Sequence, residues 1–248
     1  MPNLPAHIQL ASSAASQIKH PDIEAFWGYF CLGATAPDIR ALTKRARSEY
    51  HFVELDFETI GTGVETMFAA YPELMNAAEH DGPTRAFMAG YITHLLADES
   101  YIVRMFRPYF GVDGVFEDVE LAKVLDRALQ LDFDRRVWDD AREAIAGAEV
   151  ELANVNVRFL PPEDLQQWEE WVYRVVDGGF SWDRLRFMAR RIAAGNEEHP
   201  AYEHADAFLD SVDGWLNTLY DSVPRSRVDE FTAEAVDTLT DGLRSYLS

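Results

Sequence analysis

Apolar positions recur at helical spacing along nearly the whole 248-residue chain. Residues 5–19 put Ala11, Ala14 and Ile18 on one face and predict a first helix, which Pro21 ends. A second helix covers Ile23–Leu32 and stops at Gly33, a C-terminal signal. Residues 34–55 carry a proline, a basic patch and little periodicity, and read as irregular. Helix resumes over 61–80, turns at "HDGPT", and starts again near Pro83 to run over 84–108. After the loop "YFGVDG", a long amphipathic helix spans 117–152. "LPPEDL" opens another, with Trp168, Trp171 and Val175 facing inward. "DGGFSWD" separates it from a helix over 182–194, and "GNEEHPAYEH" leads into one that reaches Val223. Ser226 and Asp229 resemble a capping box before a last helix with the stripe Val228, Phe231, Ala235, Leu239 and Leu243. "ANVNVRFL" (153–160) is the nearest approach to a strand. With no repeat, low-complexity tract or linker, the pattern predicts a single all-α, multi-helix domain over residues 1–248.

Composition narrows the partners. Hydrophobic residues make up 48% of the chain, enough for a sizeable core. The 22 Lys+Arg against 43 Asp+Glu give a net charge of −21, which repels nucleic acid and anionic membrane surfaces. It leaves room for a phosphate ester, because bound metal ions can reverse the field at one site. Neither a signal peptide nor an apolar run long enough to span a bilayer is visible, so the expectation is a cytoplasmic protein without stable membrane anchoring. The single Cys31 lies in "WGYFCLG" and reads as a small buried hydrophobe.

The stretch "GYITHLLADESYI" departs from a plain apolar helix. Phe87, Tyr91, His94, Asp98 and Ile102 fall within an arc of about 80° at about 100° per residue. A carboxylate on that face costs several kcal/mol unless a basic partner or a metal compensates it. Candidate companions are His7 on the inner face of the first helix, Asp38 in "LGATAPDI" and His51 after Tyr50. Three His and two Asp suit one or two divalent ions, zinc above all. Taken singly, each has a bland role: His7 as a hydrogen-bonded core residue, Asp38 as a cap or turn residue, His94 and Asp98 as a buried pair. Arg40, Lys44, Arg45 and Arg47 form the one dense basic patch; they could hold a substrate phosphate or carboxylate, or pair with surface acids. His199, Glu203 and His204 read as a solvated helix start.

"MPNLPAHIQLA", "LGATAPDI", "YHF" and "GYITHLLADESYI", in that order, resemble the zinc-dependent phospholipase C family over roughly the first 105 residues. That family belongs to a superfamily with zinc-dependent single-strand nucleases. The resemblance implies an α-helical fold with up to three zinc ions in a cleft. Asp38, His51, His94 and Asp98 match the ligands of one zinc, Asp98 bridges to a second, and His7 matches a ligand of that second ion. Two features depart from the family. Secreted members ligate zinc through a processed N-terminal Trp, whereas this chain starts Met-Pro-Asn. The remaining zinc there takes two His and a Glu after the helix motif, and here no His follows Ser100 until His199.

These readings converge on a metal-dependent hydrolase that attacks a phosphoester through a metal-activated water, with Asp38 as candidate general base and Arg40 and Lys44 as candidate substrate contacts. The cofactor is zinc, one or two ions, or another divalent metal; the partner is a phosphorylated small molecule, and oligomeric state is not legible. The alternative is a non-catalytic helical protein holding a structural metal or a buried His/Asp network.

Overall fold

The computed structural model describes residues 2–148 and 150–248, and they are helical with no strand among them. The helices are α1 (Leu4–Ile18), α2 (Pro21–Ala25), α3 (Trp27–Gly33), α4 (Arg40–Thr43), α5 (Ser48–His51), α6 (Thr62–Ala70) and α7 (Gly82–Tyr101). There follow α8 (Val119–Ile145), α9 (Pro162–Asp177), α10 (Arg184–Ala193), α11 (Ala201–Asp210), α12 (Val212–Ser222) and α13 (Arg225–Leu247). One apolar core takes in side chains from Leu4 to Tyr246.

Helix α7 is the axis. Pro83 sits in its first turn, and Asp81 caps it by accepting from the Thr84 amide at 2.9 Å. From Ala86 to Tyr101 it is buried on every side, packed between α1, α3 and α13. The predicted stripe is therefore only one part of a fully enclosed helix. Two glycines allow α3 to press against it. A Cβ on Gly33 would lie 2.0 Å from the Phe87 carbonyl oxygen, and one on Gly90 would lie 2.0 Å from that of Phe30. Gly33 thus serves close packing rather than a left-handed helix stop. On the far side of α1 lies α8, capped by Asp118, which accepts from the amides of Glu120 and Leu121.

Several predicted boundaries shift, each for a local reason. The second helix breaks at Phe26 (φ −120°, ψ 42°) into α2 and α3. The irregular 34–55 segment contains α4, α5 and a 3₁₀ turn over Ala36–Ile39. The 61–80 helix stops at Ala70, because Pro72 constrains Tyr71; two 3₁₀ turns, Pro72–Leu74 and Ala77–Glu79, follow. The 84–108 helix widens to π-helical geometry over Ile102–Phe110, around Pro108. The 117–152 helix ends at Ile145, where the chain becomes extended. Residues 153–160 form no strand: a 3₁₀ turn at Leu152–Asn154 precedes a loop that sends Val157 and Leu160 into the core. Ser211 (φ −150°, ψ 66°) divides the 200–223 helix into α11 and α12. The last helix starts at Arg225, after Pro224; Ser226 lies inside its first turn and caps nothing.

Candidate metal centre and cleft

Five side chains that lie far apart in the sequence meet beside the middle of α7. His94 and Asp98 come from consecutive turns of that helix, His7 from α1, His51 from the last position of α5, and Asp38 from the 3₁₀ turn after α3. His7, His51, His94 and Asp98 are buried, and Asp38 is partly exposed. The Nε2 atoms converge. His7 Nε2 lies 3.3 Å from Asp98 Oδ1, and His51 Nε2 lies 3.2 Å from Asp98 Oδ2. The Nε2 atoms of His51 and His94 are 3.4 Å apart, and His94 Nε2 is 3.9 Å from Asp98 Oδ2. Asp38 Oδ1 approaches His51 Nε2 to 3.8 Å. The rings of His7 and His94 stack with centroids 3.7 Å apart.

The protonation state is set by position. Nδ1 of His94 donates to the Ala34 carbonyl at 2.9 Å, which fixes the tautomer and leaves a lone pair on Nε2. Burial, reinforced by His7, holds the His94 imidazole well below its ordinary pKa. Burial also lowers His51, outweighing the hydrogen bond to Asp98. Burial alone would raise Asp98. The guanidinium of Arg47 and the nearby His51 and His7 rings reverse this and keep it well below the usual carboxylate range. Neutral imidazoles around an ionised carboxylate are the form in which these groups ligate a metal.

The residues fit a metal on two grounds. Nδ1 and Nε2 of His7, Nδ1 of His51 and Oδ1 of Asp98 are buried without a hydrogen-bond partner, a costly arrangement for a purely structural network. Zinc–nitrogen and zinc–oxygen bonds of roughly 2.0–2.1 Å put neighbouring ligand atoms of a tetrahedron about 3.3 Å apart. The 3.2, 3.3 and 3.4 Å separations match that edge. Two overlapping triads have ligand atoms within 4.8 Å of one another: His7, His94 and Asp98, and Asp38, His51 and His94.

Arg47 is the participant that sequence reasoning missed. It is buried, and its Nη2 donates to Asp98 Oδ2 at 2.8 Å. The available signal was its position four residues before His51, one helical turn away. Glu99, also buried, accepts from the amides of Gly61 at 2.5 Å and Gly63 at 2.7 Å and so ties the start of α6 to α7. The remaining candidates settle elsewhere. His199 and His204 face Glu120 and Asp118 at 3.4 and 3.3 Å, joining the start of α11 to that of α8, while Glu203 is exposed. Cys31 is buried, and burial pushes its thiol up.

Asp38 faces outward into a cleft of about 610 Å³. Arg40 and Lys44 line it beside Asp38, as does Arg45. Also lining it are Trp138 of α8, Trp168, Trp171 and Val175 of α9, and residues of α10. Trp171 and Val175 thus border the cleft, whereas the core face of α9 runs through Leu165, Trp168, Val172 and Val176. Among the described residues, no helix is long and apolar enough to cross a membrane.

Residues 6–100 match the family model described as zinc dependent phospholipase C. The matched segment contains all five of the converging His and Asp residues, together with Arg40, Lys44 and Arg47, and ends before α8. Neither the comparison with curated proteins nor that with solved structures gives a match.

Proposed function

We propose that this protein is a metal-dependent hydrolase, with zinc as the metal, that cleaves a phosphoester. The observation that carries this reading is the convergence of three imidazole Nε2 atoms on the two oxygens of Asp98, those of His7 and His51 at tetrahedral-edge separations, in a segment that matches the zinc-dependent family model. In the assignment we favour, Asp38, His51, His94 and Asp98 hold one ion, and Asp98 with His7 holds part of a second. Zinc bound there supplies Lewis acidity and lowers the pKa of water that it coordinates to roughly 7.

The chain's own residues divide the remaining work. Asp98, flanked by Arg47 and the imidazoles, stays ionised and keeps its two oxygens directed at opposite sides of the cluster. The Ala34 carbonyl holds the His94 ring in place. Asp38 is the one member open to the cleft, with its side chain 30% exposed, and accepts the proton lost by the attacking water. Arg40 and Lys44 follow it on the same wall and hold the non-bridging phosphoryl oxygens of the substrate. The substrate is a phosphorylated small molecule.

A second reading has one observation in its favour. The Arg47–Asp98 pair compensates the buried carboxylate by itself, as a metal-free polar network requires. Metal analysis and turnover separate the two. The hydrolase reading expects about one to two zinc per chain and metal-dependent cleavage of bis(p-nitrophenyl) phosphate, both lost in His94→Ala. Thermal stability unchanged by chelator, with no zinc at any stoichiometry, supports the network instead.

A further inference from the structure

The cleft beside Asp38 has a charge opposite to that of the protein. Six cationic side chains line it (Arg40, Lys44, Arg45, Arg127, Arg184 and Arg191) against two carboxylates, Asp38 and Asp134, in a chain of net charge −21. Three of the six are already engaged. Arg45 reaches Asp164 at 3.9 Å, and Arg127 reaches Asp126 at 3.8 Å. Arg184 lies over the Trp138 ring and donates to the carbonyls of Val175 and Gly179. No carboxylate stands within 4.0 Å of Arg40, Lys44 or Arg191 among the described residues, although 43 acids are available in the chain. The Nε of Arg40 is buried with no hydrogen-bond acceptor among the described residues. A buried guanidinium nitrogen without an acceptor is costly, and a ligand oxygen would satisfy it.

Lys44 donates to the Ala41 carbonyl, and with Arg40 and Arg191 it lacks a carboxylate partner among the described residues; these three fall into two groups. Arg40 and Lys44 follow Asp38 on the wall nearest the candidate metal centre. Arg191 belongs to α10, with its guanidinium over the ring of the exposed Phe187. Trp171, partly exposed and stacked at 4.9 Å on the fully buried Trp168, supplies aromatic surface within the same cleft. Trp171 and Arg191 lie outside residues 6–100, the segment that matches the family model.

We propose that the substrate is a phosphoester with a second anionic group, joined to the reacting phosphoryl through an apolar body that packs on Trp171, and that Arg191 recognises this distal charge. Apolar area accounts for the binding of the body, while the sign of the distal group is read electrostatically. This rests on the phosphoester reading for the position of the reacting group, but concerns the opposite end of the molecule.

The test compares two naphthyl phosphates that carry either a sulfonate or a trimethylammonium group on the distal ring. Calorimetric titration into chelator-treated full-length protein reads the cleft without turnover. The sulfonate is expected to bind about tenfold more tightly than the ammonium compound, with Arg191→Gln abolishing the difference and Trp171→Phe leaving it. Arg191 is exposed, so its variant is expected to fold, which a matching melting temperature checks. Equal or tighter binding of the ammonium compound, binding of neither, or a preference that survives Arg191→Gln overturns the proposal. Selective binding without metal-dependent turnover leaves this inference standing and removes the hydrolase reading; turnover without selectivity does the reverse.

Discussion

Arg47 and Asp98, 51 positions apart in the sequence, form a buried ion pair 2.8 Å long inside the candidate metal centre. The same carboxylate oxygen stands 3.2 Å from His51. Arg47 therefore offsets the cost of burying Asp98 and also competes for the oxygen that a shared ion would take. Arg47→Gln leaves the carboxylate uncompensated, and we expect metal-free stability to fall by about 3 kcal/mol in urea unfolding. Added zinc is expected to recover at least that loss, because the competing cation is gone. A variant that loses stability and also binds zinc less tightly shows that Arg47 supports the metal instead.

Close approach of α3 and α7 sets the position of the whole centre, because the turn that carries Asp38 follows directly from α3. Gly90→Ala introduces a methyl group 2.0 Å from the Phe30 carbonyl oxygen. The backbone must move, at a cost of about 3 kcal/mol, and His94, four residues on, moves with it. Thermal unfolding checks the first effect and zinc titration the second. Gly61 offers a contrast: a Cβ there meets nothing within 4 Å, so any cost of Gly61→Ala comes from its φ of +104° alone.

Asp134 gives a pH dependence that is separate from the metal ligands. It is buried in the cleft wall, where its Oδ2 accepts from Asn3 at 2.7 Å and its Oδ1 has no partner among the described residues. Burial raises its pKa from 3.8 to about 7. The folded state therefore binds a proton that the unfolded state has lost between about pH 4 and pH 7, and stability declines as pH rises through that window. Asp134→Asn removes the titration. It is expected to be near neutral at pH 4 and stabilising by on the order of 3 kcal/mol above pH 7, as read from urea midpoints across a pH series. A stability difference that does not change with pH excludes this assignment.

The all-α class followed from helical periodicity, which survives tertiary packing because each helix still buries one face. The interruptions did not follow. Phe26 and Ser211 break helices with backbone angles that no proline or glycine announces. The five His and Asp candidates were found through the order of short motifs, whereas spacing within α7 indicated only that His94 and Asp98 share a face. Arg47 was read as part of a basic patch that holds a substrate anion or pairs with surface acids, because nothing local shows that its side chain turns inward. The cleft was the least legible feature. Trp171 and Val175 scan as a core-facing stripe, and only the placement of α10 across from them makes that stripe a wall.

The most direct test is an anomalous difference map at the zinc edge, from a crystal grown with zinc. The account predicts a peak bonded at about 2.0–2.1 Å to Nε2 of His51 and His94 and to a carboxylate oxygen of Asp98, with Arg47 displaced from Asp98. A map with no density among these side chains, and the Arg47–Asp98 pair intact in the presence of zinc, would contradict it.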